Sequence, residues 1–349
     1  MGGLARYGAV AAKVRCIWGM RLSPDEYRRM AAMKSVPELA SFLRGHVRWG
    51  RALEGVNLSA VKRHELEERL RGWRLEEALR LYPYTDARDR DLLSFPILET
   101  ELAQIMRWLA LARAGRAQEY SFSPPPLAAR FSKVNYAALS SALTFEAMID
   151  AVSATPYAPV LRRLKQACDA AGDDFPEFTL IETALHGHYF RTLTDIIGRV
   201  KDPGLRRRLR ESVGIRADLM NISVILRLKK WYGQLGGQIL NYIIPVNLNL
   251  RPAFLKRLYS AGSYSDAAAL LRASVYGKHF SREDEPDIDM LITRIRFEHS
   301  LRGLREGTPT VLTPFSFIEL SGIELQNIIH VIECVRYGIP PEEAMAFVV

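Results

Sequence analysis

Three five-residue segments constrain this chain of 349 residues more than any other feature. They are Glu101-Leu102-Ala103-Gln104-Ile105, Asp218-Leu219-Met220-Asn221-Ile222 and Glu324-Leu325-Gln326-Asn327-Ile328. Each reads acid, Leu, any residue, amide, Ile. They are separated by 117 residues (101 to 218) and 106 residues (218 to 324). Each continues apolar at the next helical turns, with Trp108 and Leu109, Ile225 and Leu226, and Val331 and Ile332. Each then stops at a glycine, Gly115, Gly233 or Gly338, the residue that most readily takes the left-handed conformation closing a helix. A second set keeps the same order. Met30, Ser35 and Leu43 match Met148, Ser153 and Leu161, then Leu258, Ser263 and Leu271, at offsets of 118 (30 to 148) and 110 (148 to 258) residues. Together the two sets predict a threefold internal repeat, with helical units at 1–120, 121–238 and 239–349.

The spacing says what the repeated residues do. Leu and Ile three residues apart, with an apolar residue four further on, form one stripe of a helix that is buried against its neighbours. The amide beside that stripe is placed to bond a free backbone group, such as the end of a neighbouring helix. The acid at the start favours the positive end of the helix dipole. None of this is chemistry on a substrate.

Helical signals dominate the rest of the chain. Ala, Leu, Arg and Glu are abundant, and apolar residues recur at three- and four-residue spacing. Ser23-Pro24-Asp25-Glu26 is a helix start, with Ser at the cap, Pro at the first helical position and acids in the first turn. Ser35-Val36-Pro37-Glu38 repeats it. Alternating strand patterns are nearly absent. Ile243 to Leu250 is the best strand candidate, and Pro245 weakens it. Tyr120 to Pro126 and Gly233 to Pro245 read as connections. The fold class expected is all-α.

Composition excludes several classes. No segment approaches the length of apolar chain that spans a membrane. The N-terminal apolar stretch, Tyr7 to Ala12, is too short and too closely flanked by Arg6, Lys13 and Arg15 for a signal peptide, so a cytoplasmic location is expected. Cys16, Cys168 and Cys334 lie far apart, which indicates neither a disulfide framework nor a zinc site. The formal net charge of +9 favours acidic partners.

The ordered set of motifs is recognisable. Tyr7-Gly-Ala-Val-Ala-Ala-Lys13-Val-Arg15 with Leu22-Ser-Pro-Asp-Glu-Tyr27 resembles the start of the central-stalk C subunit of archaeal and bacterial A/V-type rotary ATPases, the counterpart of the d subunit of the eukaryotic vacuolar enzyme. Ser35 to Leu39, Glu182-Thr-Ala-Leu-His-Gly-His-Tyr189-Phe190, Asp218 to Lys229, and Glu324 to Asn327 through Gly338-Ile-Pro-Pro-Glu-Glu343 are similar to its later helices. His186, His188 and Gln104 depart from the pattern. The resemblance spans essentially the whole chain. It implies a funnel of three similar helical units about a pseudo-threefold axis. It also implies a torque-carrying subunit without catalysis, seated on the membrane proteolipid ring and receiving stalk subunits D and F. On that reading the protein is peripheral to the membrane as part of a complex, and it touches the membrane only through its partners.

No catalytic, cofactor or metal constellation emerges. P-loop, GxSxG and HExxH sequences are absent. The histidines are His46, His64, His186, His188, His279, His299 and His330; His186 and His188, two apart, point to different helix faces. Glu283, Asp284, Glu285, Asp287 and Asp289 form an acidic loop that lacks the glycine and the later Glu of a calcium loop. The basic block at 201–233 is the candidate contact surface. Arg206, Arg207, Arg208, Arg210, Arg227, Lys229 and Lys230 there suit an acidic protein face or lipid headgroups. The alternative is a helical scaffold binding nucleic acid through this block, but no aromatics are interleaved with Arg206 to Arg210 for base stacking, and no nucleic acid is expected.

Overall fold

A computed structural model describes residues 3–172, 175–232, 243–279 and 288–349. It is helical throughout, and no strand occurs among the described residues. The chain forms two compact units, one from residues 1–93 and 289–349, the other from residues 94–288.

The first unit holds α1 (Gly3–Gly19), α2 (Pro24–Ala31), α3 (Val36–Gly45) and α4 (Arg63–Leu79). The second holds α5 (Phe95–Arg113), α6 (Pro126–Ala129), α7 (Tyr136–Ser141), α8 (Phe145–Ala151), α9 (Ala158–Ala171), α10 (Phe178–Gly198), α11 (Pro203–Tyr232), α12 (Pro252–Ser260) and α13 (Tyr264–Arg272). The first unit is completed by α14 (Ile288–Leu304), α15 (Leu312–Tyr337) and α16 (Pro341–Ala346).

The helix starts follow from side chains that take up free N–H groups. Ser23 accepts from the Glu26 N–H while the Glu26 carboxylate accepts from the Ser23 N–H, a reciprocal cap on α2. Ser35, Asn135, Thr144 and Ser263 cap α3, α7, α8 and α13 in the same way with one bond each.

The first unit is organised around α15. Nearly every residue from Leu312 to Val335 is buried, because this helix is apolar or small on all sides. α1, α2, α3 and α4 pack around it. Met30, Leu39, Leu43, Trp49, Leu66, Leu70, Ile328, Val331 and Ile332 form the core there. In the second unit α10 packs against α5, α9 and α11, and α11 carries the short helices α12 and α13.

Three details differ from, or refine, the sequence expectations. Ile243 to Leu250 is an irregular strap. Pro245 has no N–H to offer a ladder, and the N–H groups of Ile244, Leu248 and Asn249 are taken by side chains of α11. The second matched set is out of register in the middle third. Ser35 and Ser263 are helix caps, but Ser153 lies in the turn after α8, and the capping residue there is Thr144. Leu139 and Val152, both fully buried, take the places assigned to Met148 and Leu161. The shift is nine residues (144 to 153). Met148 and Leu161 fit an apolar pattern equally well, so only the cap decides. Finally, Gly115 and Gly338 have φ of +69° and +67°, the left-handed closure their positions imply; Gly233 lies outside the described residues.

Candidate functional site

The three repeated acids are deeply buried. Asp218, Glu101 and Glu324 are 0%, 1% and 4% exposed. Each accepts a backbone N–H from a segment that leads into a pair of short helices. Glu101 on α5 accepts from the Lys133 N–H at 2.6 Å and the Ser132 hydroxyl at 2.9 Å, just before α7. Asp218 on α11 accepts from the N–H groups of Leu248 (3.0 Å) and Asn249 (2.8 Å), just before α12. Glu324 on α15 accepts from the Leu22 N–H at 3.0 Å, just before α2. The acid therefore does not sit idle at a dipole: it fastens one helix to the entry of the next pair.

Two of the acids, Asp218 and Glu324, also bind a second element, and α5 is bound there through Leu98 instead of Glu101. After the helix pair the chain turns, and in each turn an acceptor two residues ahead fixes the backbone. His46 Nδ1 accepts from the Arg48 N–H, Thr155 Oγ1 from the Tyr157 N–H, and Ser274 Oγ from the Tyr276 N–H. Residues displayed by these turns then point back to the acid-bearing helix. The Tyr276 hydroxyl donates to Asp218 at 2.9 Å. The Tyr157 hydroxyl donates to the Leu98 carbonyl, one turn before Glu101. Arg48 pairs with Glu324, and the Trp49 indole N–H donates to the same carboxylate at 2.9 Å. Sequence reasoning missed these turn residues. Their signal is Thr155-Pro-Tyr157 against Ser274-Val-Tyr276, a hydroxyl two residues before a tyrosine, repeated 119 residues apart (157 to 276).

The repeated amides hold backbone or a neighbouring hydroxyl. Asn221 grips Ile244 in both directions, accepting from its N–H at 2.8 Å and donating to its carbonyl at 3.1 Å. Asn327 donates to the Val349 carbonyl. Gln104 accepts from the Tyr120 hydroxyl.

Burial sets the electrostatics. It raises the carboxyls of Glu101 and Asp218 above their ordinary values, against the pull of their N–H donors. It also raises the Tyr276 phenol, and Asp218 beside it adds to the rise. At Arg48, burial opposes the charge, but Glu324 and Glu77 outweigh it and hold the guanidinium firmly protonated. Arg48 forks onto Glu77 at 2.6 and 3.0 Å, donates to Ser321 and lies over the Phe317 ring. Such a network is structural glue with a high penalty for losing one member.

The basic block separates into different roles. Arg216 pairs with Glu99, which also accepts from Tyr189, and lies over the rings of Phe95, Tyr189 and Phe190. Lys229 donates to the carbonyls of Tyr259 and Ala261 at the end of α12. Arg206 donates to the Val200 carbonyl and is half-buried, as is Arg208, while Arg207, Arg210 and Arg227 are exposed. The Lys230 side chain lies outside the described residues.

Among the described residues the remaining candidates bring no reactive groups together. His186 is pushed down to about 4 by burial and by Arg216, so it is neutral at physiological pH. His188 packs edge-on to Tyr157. Residues 283–287 of the acidic loop lie outside the described residues; Asp289 is exposed in the first turn of α14. Among the described residues no group of three metal-ligating side chains comes together.

The model of the ATP synthase (C/AC39) subunit family matches residues 10–347. The chain belongs to this family. The match runs through all three acid-bearing helices and agrees with the resemblance to the archaeal C and eukaryotic d subunits. Members are structural subunits of the ATP synthase, not its catalytic ones, and the clamps found here are of that kind. No curated protein matches the chain. No described helix is long and apolar enough to cross a membrane.

Proposed function

We propose that this chain is the central-stalk coupling subunit of an A/V-type rotary ATPase. It joins stalk subunits D and F to the membrane proteolipid ring and transmits torque for ATP-coupled proton or sodium transport. It carries no catalytic site of its own. In this reading the chain is three copies of one helical unit, at 1–120, 121–238 and 239–349, arranged as a funnel about a pseudo-threefold axis.

The observation that carries the reading is the hand-over between copies. The acid that ends each copy binds the entry of the next: Glu101 binds Lys133, Asp218 binds Leu248 and Asn249, and Glu324 binds Leu22. The last copy thus returns to the first, which supports a closed cycle. A part that carries torque needs such cross-fastening, because a load on one helix then passes to the next through buried, charge-assisted bonds.

Reconstitution tests it. Membranes depleted of this subunit, supplied with D, F and the catalytic head, should hydrolyse ATP without moving ions, and adding the chain should restore transport. Full transport without the chain, or failure of the chain to capture either stalk or ring subunits, would show the reading to be wrong.

A further inference from the structure

The α10–α11 hairpin ends in a cationic tip. From Arg199 to Arg210 there are six basic side chains, Arg199, Lys201, Arg206, Arg207, Arg208 and Arg210, against one acid, Asp202. That acid is occupied: its Oδ1 accepts from the N–H groups of Gly204 at 2.8 Å and Leu205 at 3.1 Å, capping the start of α11. Arg199, Lys201, Arg207 and Arg210 are exposed. None of these four side chains makes an ion pair or hydrogen bond among the described residues, in contrast to those of Arg216 and Lys229 further along the same helix. Arg207 and Arg210 are three apart and share a face of α11, and Arg199 and Lys201 lie in the turn that leads into it.

We infer that this tip is a contact site for the anionic headgroups of a phospholipid bilayer, made by the chain itself. The choice between a lipid and a protein partner rests on what the tip lacks. Protein interfaces are held by buried aromatic or aliphatic anchors. Among the described residues of the second unit, the large exposed apolar residues are Phe131, Leu143, Leu248 and Val275; none falls within 199–210, whose Val200, Leu205 and Leu209 are buried. A fan of long cationic side chains with no apolar centre suits a fluid layer of negative headgroups, which needs no shape match. The absence of aromatics between Arg199 and Arg210 removes the stacking platform that single-stranded nucleic acid uses. The inference goes beyond the coupling role and is tested without it, on the isolated full-length chain.

The test is flotation with phosphatidylcholine vesicles, with and without phosphatidylglycerol, at low and physiological salt. The chain should float only with the anionic vesicles, and less at higher salt. A quadruple variant, Arg199→Gln, Lys201→Gln, Arg207→Gln and Arg210→Gln, should lose binding by on the order of six hundredfold, at about fivefold for each of the four charges near an anionic surface. A control removes the same charge elsewhere, through Arg51→Gln, Lys62→Gln, Arg69→Gln and Lys256→Gln, all exposed; it should float like the parent. Circular dichroism shows whether both variants keep their helices. Equal loss in the two variants would assign the effect to net charge and overturn the site. Binding indifferent to phosphatidylglycerol, or tighter binding to an RNA hairpin in the same buffer, would overturn it too.

Discussion

Asp218 and Tyr276 lie 58 residues apart in the sequence and are joined by a buried 2.9 Å hydrogen bond from the phenol to the carboxylate. The bond ties α11 to the turn after α13. Tyr276→Phe keeps the ring and removes the donor. A hydrogen bond to a charged group contributes about 1.5–3 kcal/mol. We expect a loss of about 2 kcal/mol, read from hydrogen exchange at the Leu248 and Asn249 amides, which share the same carboxylate. Unchanged protection of those amides would mean that the clamp carries no load.

The amide clamp gives a sharper substitution. Asn221→Asp preserves the acceptor for the Ile244 N–H but sets an oxygen against the Ile244 carbonyl, where Asn221 now donates. A buried acceptor without its donor costs about 1–3 kcal/mol, more with a charge. The urea midpoint should fall clearly. Asn221→Gln, whose longer side chain cannot hold both bonds, should fall less.

His46 predicts a dependence on pH. Burial holds it below its ordinary 6.5, and Arg48 lowers it further, while Glu26 and Glu324 pull the other way. The folded protein thus favours neutral His46, whose Nδ1 accepts from Arg48 and Trp49. The stability from this preference is complete above 6.5 and is lost as pH falls from 6.5 through the lower folded value. His46→Ser supplies the acceptor that Ser274 supplies in its own turn. The stability difference between parent and variant should therefore change between about pH 7.5 and about pH 5, in the direction of the parent weakening.

Two turns leave no room for a side chain. A Cβ on Gly277 would lie 1.9 Å from the Arg272 carbonyl oxygen, and one on Gly50 would lie 2.4 Å from that of Arg44. In both, the obstacle is the backbone at the end of the preceding helix, which cannot swing aside. Gly277→Ala and Gly50→Ala should each cost about 1–3 kcal/mol. Gly19→Ala, with nothing within 4 Å, serves as the control and should be near neutral in a thermal melt.

The helical class, the caps at Ser23 and Ser35, and the closing glycines Gly115 and Gly338 were legible in the sequence because each is a local decision. The acid–amide segments were legible as a pattern, but not in their main action. An acid next to an apolar stripe reads as a dipole partner; only packing shows Glu324 meeting Leu22, 302 residues away. The middle register was misread because Thr144 replaces a serine and apolar residues recur on both candidate helices. Arg48 was invisible for a related reason. It is one of 48 basic residues, and nothing nearby in the chain marks it as the partner of Glu77 and Glu324.

The assembly of the first unit from both ends of the chain has a consequence for biosynthesis. Residues 1–93 leave the ribosome first, but α15, around which they pack, is made only after the whole of the second unit. At roughly 5–20 residues per second, that is a wait of tens of seconds. Over that interval Arg48 lacks Glu324, and Met30, Leu43 and Trp49 lack the helix that completes their core. The newborn amino-terminal third is thus a natural client for chaperones, while the second unit has all of its own residues at hand well before translation ends.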